Sequence, residues 1–394
     1  MSAGQCRSSG PGIGAPSQTR RETPQVKLQR YGTIACLALA ATLGLSACGS
    51  DNNEPTSGAS ASGSAAAVDC GTGTVNAQGS SAQKNAMAEW IKAYQQKCAG
   101  TTINYEGTGS GAGIQAFIAG TADFAGSDSA LKPEEQPQAD AKCAGGKALN
   151  LPMVIGPVAV VYNAGSGVDN LQFKPATLAK IFAGKVTKWD DAAIKADNPT
   201  AKLPSAPIQA VHRSDESGTT DNFTKYLSKT AESDWTLGNA KAWKAPGGVG
   251  AAKSDGVASK VKSTVGTISY VEWSYAENSG LNKAKVQNGA GEWAELTAES
   301  AGKTIAGAKI EGQGDDLKLS IDYNTKEAGA YPIVLTTYEI VCSKGLAADK
   351  LKLVKGLLGY AASTEGQTSL TDLGYAPLPE TVRTKVETAV KNLS

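Results

Sequence analysis

The fold is decided by residues 101–118, which read TTINYEGTGSGAGIQAFI. Residues 101–105 are rich in β-branched and aromatic side chains, which predicts a strand. Residues 107–113 contain only glycine, alanine, serine and threonine. Ile114 and Phe117 then lie one helical turn apart, which predicts a short helix. The order of strand, small residues and helix is typical of an α/β fold.

The same order recurs on both sides of this stretch. Upstream, the strand-like residues 72–78 are followed by Gly-Ser-Ser-Ala-Gln at 79–83 and by apolar residues at helical spacing. Downstream, a strand at 208–211 leads into a helix after Ser217. Such alternation predicts mostly parallel sheets with helices on their faces, which bind ligands at the carboxyl ends of their strands. About 325 residues follow Cys70, enough for two domains.

Other segments complete the predicted elements. We expect a helix over 175–182, strands over 265–270 and 332–341, and a helix over 351–358. Residues 149–163 are apolar but contain two prolines, so we expect two linked strands there, at a crossing between the domains.

The N-terminal part of the chain predicts export. Basic residues precede an apolar run of about 14 residues, which is shorter than the roughly 20 that a membrane-spanning helix needs. The run ends in Leu-Ser-Ala-Cys at 45–48, which resembles the lipobox of bacterial lipoproteins. We therefore assign 1–47 to an export signal of the lipoprotein type, with Val26 as the expected natural start. Cys48 becomes the lipidated first residue of the mature protein.

The segment 48–68 consists mainly of Ser, Ala, Gly, Asn and Asp, which offer little to bury, so we expect a flexible tether. The folded part then lies on the extracytoplasmic face of the cell membrane, held by lipid on Cys48. Residues 1–47 carry five of the 38 basic and one of the 37 acidic side chains, so the remainder has a net charge of about −3. An anion site must therefore be built locally, and nucleic acid, which needs a basic face, is not an expected partner.

The cysteines predict disulfides rather than a metal site. Two of the seven lie in the signal and Cys48 is assigned to lipid, which leaves Cys70, Cys98, Cys143 and Cys342. Four cysteines in an exported domain allow two disulfides in three pairings. Cys70 and Cys98 each precede a predicted strand, so that pair is geometrically sensible. No Cys or His spacing indicates a metal, and His212 is the only histidine.

Residues 211–220 read VHRSDESGTT and place a guanidinium beside the start of a helix. The first N–H groups of a helix lack partners and carry partial positive charge, so they attract anions. Arg213 can add two parallel charged donors. The alternative is that Asp215 or Ser217 only caps a surface helix. Together with the loops at 79–83 and 107–113, however, the stretch predicts a cage of N–H and O–H donors for a small tetrahedral anion.

Asp128, in Gly-Ser-Asp at 126–128, is a carboxylate among these anion donors. Such a group suits only a ligand that brings a proton to donate, as phosphate does near neutrality and sulfate does not. Facing sulfate, its lone pairs would be unmatched, which costs free energy. Asp128 therefore favours phosphate. The alternative is that it caps a helix or pairs with Arg213 in a purely structural role.

These motifs resemble the family of PstS phosphate-binding proteins. The segments 107–113, 126–128, 188–191 and 213–220 match the family's pattern in its order, and the likeness runs over 72–378. It implies a hinged, two-lobed fold of the type II periplasmic-binding-protein kind, in which each lobe is a mostly parallel sheet flanked by helices.

The resemblance also implies where the lobes and the ligand lie. We expect lobe I at 69–153 and 331–394 and lobe II at 154–330, with phosphate held between them. The implied ligand contacts are Ser81, the backbone of Ala82, Ser110, Asp128, Arg213, Ser217, Gly218 and Thr219. The family often has Thr-Phe-Pro where 81–83 read Ser-Ala-Gln, a difference that bears on affinity. It often has Gly in place of Glu216, whose side chain we expect to point to solvent.

The resemblance implies a monomeric binding protein rather than an enzyme. Its ligand would be inorganic phosphate, bound without a cofactor and delivered to the membrane permease of a phosphate ABC importer. One alternative is a binding protein for another oxyanion such as sulfate or molybdate, which Asp128 argues against. Another is a secreted phosphate-ester hydrolase. For that reaction Ser110 and Ser217 lack an evident base, because neighbouring residues of a strand point to opposite faces and His212 adjoins Arg213.

Overall fold

The computed structural model describes residues 69–394. The predicted export signal at 1–47, the tether at 48–68 and the lipid site at Cys48 lie outside the described residues. Within 69–394, the helices are too short or too polar to cross a membrane.

The first part of the described chain alternates strands and helices, as the sequence predicts. Its elements are β1 (Gly73–Gly79), α1 (Lys84–Lys97), β2 (Thr101–Glu106), α2 (Ser110–Ile118), β3 (Phe124–Ser127), α3 (Gln136–Lys142) and β4 (Ala148–Asn163). β1 lies between β2 and β3 and runs parallel to both, with Val75 beside Ile103 and Ala77 beside Phe124. The carboxyl ends of all three strands therefore meet at one edge of the sheet.

The middle part forms a second α/β region. Its elements are β5 (Gln172–Phe173), α4 (Pro175–Phe182), α5 (Ala192–Asp197), β6 (Gln209–Arg213), α6 (Gly218–Thr230), β7 (Val249–Ala251), α7 (Lys253–Ser263), β8 (Thr267–Glu272) and α8 (Trp273–Ser279). Helix α4 has the predicted bounds. β6 and β8 are displaced by one or two residues from the predicted strands.

The last part of the chain adds strands and helices to both regions. Its elements are β9 (Asn282–Lys283), β10 (Lys285–Gln287), β11 (Trp293–Ala294), α9 (Ala298–Ala306), β12 (Lys309–Ile310), β13 (Leu319–Ser320), β14 (Val334–Cys342), α10 (Ala348–Ala362), α11 (Thr364–Thr368), a 3₁₀ turn at Thr371–Leu373 and α12 (Glu380–Asn392). β14 and α10 correspond to the predicted strand and helix at 332–341 and 351–358.

The described residues form one nine-stranded sheet and two small ones. The large sheet has the order β2-β1-β3-β14-β4-β8-β6-β7, with β9 beside β4. Pairing is parallel among β1, β2 and β3 and among β6, β7 and β8. It is antiparallel where β14 and β4 pair with each other and with their neighbours. Two parallel groups of strands are thus joined through an antiparallel middle.

The prediction of two linked strands at 149–163 is wrong, because β4 is a single strand of 16 residues. Pro152 is tolerated since it faces Tyr338 where the register with β14 shifts, and such an irregularity accommodates a residue without an N–H. The first half of β4 pairs with β14, and the half from Val158 onward pairs with β8. The segment is therefore the crossing between the two strand groups.

Two large hydrophobic cores flank this crossing. One contains side chains from β1, α1, α10 and α12, including Trp90 and Leu357, together with Ala301 from α9. The other contains side chains from α4, α6 and β8, including Trp189 and Phe223. Trp189, which belongs to the family-like segment 188–191, is fully buried, so it contributes packing rather than a ligand contact.

Two disulfides lie in the part of the molecule that contains β1 and β14. Cys70 pairs with Cys98, which is the pair that the sequence favours. Cys143 pairs with Cys342 and joins the end of α3 to the end of β14. The second bond spans 199 residues of sequence, so it links segments that only the fold brings together.

Candidate anion-binding site

The turns that precede α2 and α6 contact each other. The Gly111 N–H donates to the Glu216 carbonyl oxygen at 3.1 Å, and the Gly218 N–H donates to Ser110 Oγ at 3.2 Å. The carboxyl ends of β2 and β6 therefore face each other, and two helix N-termini converge between the two strand groups.

Asp128 lies at the centre of this convergence, directly after β3, and is only 3% exposed. Its Oδ1 accepts hydrogen bonds from the hydroxyls of Ser80 and, at 2.8 Å, Thr337. Its Oδ2 receives a longer bond of 3.3 Å from Ser110 Oγ. Burial raises the pKa of Asp128, while these hydroxyls and the charge of Arg213 oppose the rise. Oδ2 thus keeps the capacity to accept another proton donor.

Ser110 is the first residue of α2 and connects Asp128 to α6. Its Oγ accepts from the Asp128 N–H at 3.1 Å and from the Gly218 N–H. The preceding Gly109 has φ +102°, a conformation that favours glycine. The glycine-rich loop therefore allows the sharp turn that places Ser110 between the two strand groups.

The start of α6 supplies further donors. Ser217 is its N-cap, and its Oγ accepts from the Thr220 N–H at 3.2 Å. Thr219 is 1% exposed, and its hydroxyl makes no hydrogen bond within the described chain. A Cβ on Gly218 would lie 2.5 Å from Asp128 Cβ and 2.6 Å from Ser110 Oγ, so only glycine permits this approach.

Arg213 ends β6 and is 2% exposed. Its guanidinium does not pair with Asp128, because Nε donates to Asp215 Oδ1 at 2.7 Å and Nη2 to Oδ2 at 2.5 Å. Burial alone would raise the pKa of Asp215, but the bonds and charge of Arg213 bring it below the ordinary value. Asp215 thus holds the guanidinium in place while other N–H donors remain for a ligand.

Ser81 and Ala82 form the turn between β1 and α1, and both are buried. Ser81 Oγ lies 3.0 Å from Ser254 Oγ and accepts from the Ser254 N–H at the start of α7. The carbonyl oxygens of Ser81 and Ala82 accept from the hydroxyls of Tyr275 and Tyr375. The turn is therefore held from both strand groups.

Buried polar contacts reinforce the closure between the two groups of strands. Lys241, which is 3% exposed, pairs with both carboxylate oxygens of Glu135 at 2.9 and 3.2 Å. Ser129 Oγ donates to Asp221 Oδ2, and Asn222 Nδ2 donates to the Asp128 carbonyl oxygen, each at 2.6 Å. The site is thus enclosed by side chains from both groups.

The structure brings most of the predicted residues together, but in two clusters. Asp128, Ser110 and Gly218 are in direct contact, whereas Ser81 and Arg213 contact Ser254 and Asp215 instead. The Glu216 side chain is exposed and packs against Gly111 of α2.

Sequence reasoning missed several of the partners in the site. Asp215 carried a signal, since it is a carboxylate two residues from Arg213. Ser80 adjoins a predicted site residue. Thr337 and Ser254 carried no local signal, because they are 209 and 173 residues from their partners.

The geometry gives no support to a hydrolytic serine. The His212 ring stacks on Trp243 with centroids 4.9 Å apart, and Nδ1 lies 3.0 Å from the Arg213 carbonyl oxygen. Ser110 Oγ is bonded to Asp128 and Gly218 rather than to an imidazole. His212 is therefore not placed to act as a base for Ser110.

Comparison with known proteins places the chain among solute-binding proteins. Residues 64–365 match the model of the PBP superfamily domain. The chain is 43% identical over 373 residues to Phosphate-binding protein PstS 3 of Mycobacterium tuberculosis, which covers 94% of this chain and 100% of that protein. It is 34% identical over 365 residues to Phosphate-binding protein PstS of Xylella fastidiosa, covering 90% of this chain and 96% of that protein.

A solved structure shares the fold. It is that of a high-affinity periplasmic phosphate-binding protein bound with phosphate, with a TM-score of 0.65 and 21% sequence identity. The match covers 80% of this chain and 93% of the other. The two-lobed binding-protein fold expected from the sequence is therefore confirmed.

Proposed function

Because the chain belongs to the family of PstS phosphate-binding proteins, we propose that it captures inorganic phosphate and delivers it to an ABC importer. The phosphate lies between two lobes, 69–153 with 331–394 and 154–330, which close on it. Closure of two domains around a ligand is the established behaviour of such folds. No cofactor takes part.

The observation that carries this proposal is the position of Asp128 among anion donors. Its carboxylate lies beside the N-termini of α2 and α6, where an oxyanion is favoured. When ionised, however, this carboxylate can accept hydrogen bonds but cannot donate one. A hydrogen phosphate ion satisfies both conditions, since it is an anion that also carries a proton to donate. Sulfate at neutral pH leaves the carboxylate facing an acceptor.

The remaining site residues supply donors to the phosphate oxygens. Arg213, fixed by Asp215, contributes charge-assisted bonds, each worth about 1.5–3 kcal/mol. The hydroxyls of Ser217 and Thr219 contribute further bonds. The Ser110 hydroxyl and the Gly218 N–H, which donate to Asp128 Oδ2 and Ser110 Oγ in this structure, exchange those partners for phosphate oxygens when the ligand binds. Ser81 and the Ala82 N–H complete the cage from the side of α1.

The protein acts by binding rather than by catalysis. Within residues 69–394 the imidazole of His212 makes no bond to Ser110 or Ser217, and the relatives are named for phosphate binding. Binding of sulfate or molybdate, the alternative suggested by an anion cage alone, conflicts with the carboxylate of Asp128.

The protein works as a monomer on the extracytoplasmic face of the cell membrane. Lipid on Cys48 anchors it, the segment 48–68 gives it reach, and the closed lobes present the surface that the membrane permease recognises. A Cys48→Ala chain is expected to lose its lipid mass and leave the membrane fraction. Retention of that variant in membranes would contradict the anchor.

Calorimetry on the mature protein tests the ligand. Phosphate is expected to bind at micromolar concentration or tighter, about −8 kcal/mol or below, and sulfate at least about a hundredfold more weakly. Equal binding of both ions, or binding of neither, would contradict the role given to Asp128.

A further inference from the structure

A second carboxyl lies behind Asp128 on the same face of the sheet. Glu339 in β14 is two residues from Thr337, and side chains two apart on a strand share a face roughly 7 Å apart. Thr337 donates to Asp128 Oδ1 at 2.8 Å. Glu339 itself is fully buried and pairs in register with Gly126, two residues before Asp128. It is therefore a neighbour of the proposed ligand site that the proposed function does not use.

The surroundings of Glu339 do not suit a charge. Neither carboxyl oxygen has a hydrogen bond within residues 69–394, and none of the ion pairs of this part of the chain involves Glu339. The side chains beside it are Gln83, from the turn before α1, and Tyr105, from β2. The titratable groups that face it are thus Asp128 and Tyr105, neither of which is a cation. An ionised Glu339 would be a buried, uncompensated charge.

A proton on Glu339 would also give a hydrogen-bond donor to a neighbouring buried amide oxygen that lacks one. Gln83 is fully buried; its Nε2 donates to Tyr105 Oη at 2.9 Å, while its Oε1 has no donor in the described chain. A neutral carboxylic acid has one O–H to donate, so a single proton on Glu339 can pair with this amide oxygen. Burial, followed by the charge of Asp128, raises the pKa of Glu339 to about 8, against the lowering effect of Gln83.

We propose that Glu339 is a positioning residue of the phosphate site, which holds a proton behind Asp128 and whose deprotonation weakens phosphate binding. The proposal rests on the proposed function. With Glu339 neutral, the negative charges near the ligand come from Asp128 and Asp215, and Arg213 and the helix N-termini oppose them. With Glu339 ionised, a second negative charge is added in a medium of low dielectric constant, and it repels both Asp128 and the anion.

The test is the pH dependence of phosphate affinity in the wild type and in Glu339→Gln. The amide has nearly the same shape as the acid but cannot ionise. Calorimetry between pH 6 and 9.5 is expected to show similar affinities at pH 6. Above pH 8 the wild type should lose affinity relative to the variant by up to about tenfold per pH unit. The second ionisation of phosphate affects both proteins equally, so it cancels in the comparison.

Proton uptake gives an independent readout. At about pH 8.5, titrations in two buffers of different ionisation enthalpy should show that the wild type takes up more protons on binding phosphate than Glu339→Gln does. Glu299→Gln, which removes a carboxylate whose side chain is 83% exposed, is the matched control and should follow the wild type. Parallel profiles for the wild type and Glu339→Gln would overturn the proposal.

The two proposals fail in distinguishable ways. Absence of phosphate binding in both proteins at pH 6 contradicts the proposed function, whereas tight binding with an unchanged pH profile contradicts only the role of Glu339. If Glu339→Gln does not fold, carbon NMR of the assigned Glu339 carboxyl in the wild type decides. A carboxyl that is ionised at pH 7, with or without phosphate, would overturn the proposal.

Discussion

At the scale of single residues, the site is organised by which carboxylate pairs with which donor. Arg213 is held by two hydrogen bonds to Asp215, whereas Asp128 is surrounded by hydroxyls. The guanidinium is therefore held in place without a hydrogen bond to Asp128. Asp128 in turn keeps an oxygen that can accept a proton from a ligand.

Replacing Arg213 tests this division. Arg213→Ala should weaken phosphate binding by at least about a hundredfold in calorimetry, since two charge-assisted bonds of about 1.5–3 kcal/mol each are lost. Asp215→Asn keeps the charge but loosens its position, so we expect a smaller loss. Circular dichroism should show an unchanged fold in both variants. Wild-type affinity in Arg213→Ala would place the ligand elsewhere.

Glu339 also makes a prediction for the stability of the folded chain. Its pKa rises from 4.5 in the unfolded chain to about 8 in the folded one. Between these values the folded chain holds a proton that the unfolded chain has released, so stability falls as pH rises from about 4.5 through 8. Without phosphate, the free energy of unfolding of the wild type should be lower at pH 9 than at pH 5 by about a few kcal/mol. Thermal unfolding should therefore occur at a lower temperature at pH 9.

Glu339→Gln isolates this contribution. Because the amide does not titrate, the decrease in unfolding temperature between pH 5 and 9 should be smaller in the variant than in the wild type. The same decrease in both proteins would show that Glu339 is not the group that titrates.

At the scale of elements, the site depends on helix ends that approach closely. The N-termini of α2 and α6 meet because Gly218 lets its backbone lie against Asp128 and Ser110. Each helix end adds partial positive charge, worth roughly 0.3–2 kcal/mol to a nearby anion. The small residues in these loops thus allow the two helix ends to approach closely, in addition to allowing the turns.

Gly218→Ala is expected to hold the two helix ends apart. The added Cβ would lie 2.5 Å from Asp128 Cβ, so either the lobes stay open or the contact is strained. Phosphate affinity should fall by about tenfold or more, with little change in the unfolding temperature of the ligand-free protein.

Gly302→Ala is the matched control for this glycine. Gly302 lies inside α9 with no atom near its missing Cβ, so alanine should leave affinity unchanged and stabilise the helix by up to about 1 kcal/mol. Equal affinities in the two variants would show that close approach at Gly218 is not needed.

At the scale of the whole molecule, two cores are joined by β4 and β14 and by polar contacts across the site. Within residues 69–394, two ion pairs connect the parts of the chain that contain the two cores. Lys241–Glu135 is buried, whereas Lys84–Asp255 has side chains 48% and 57% exposed. Only the buried pair is expected to matter for closure, because exposed pairs contribute about 1 kcal/mol or less.

Lys241→Met should therefore speed the release of phosphate. The change removes a contact of the closed state and leaves Glu135 uncompensated there, so we expect dissociation roughly 10- to 100-fold faster in stopped-flow measurements. Lys84→Met should stay within about threefold of the wild type. Equal dissociation rates in wild type and Lys241→Met would mean that this pair does not hold the lobes together.

The sequence by itself determined the α/β pattern, many of the elements and the local features of the site. The periodicity of 101–118 predicted the α/β pattern, and the glycine and hydroxyl residues before α2 and α6 predicted helix ends suited to an anion. These features depend on neighbours within a few residues, so local chemistry suffices to find them. The resemblance of the motifs to a known family supplied the lobes and the ligand.

Only the tertiary structure decided how the parts are paired. It made 149–163 one strand, because a register shift accommodates Pro152. It gave Asp128 the hydroxyl of Thr337 and placed Glu339 behind it. These contacts join residues about 200 apart in the sequence, and no local pattern specifies them. They form because the two cores pack against a shared strand, and burial then fixes which polar groups must find each other.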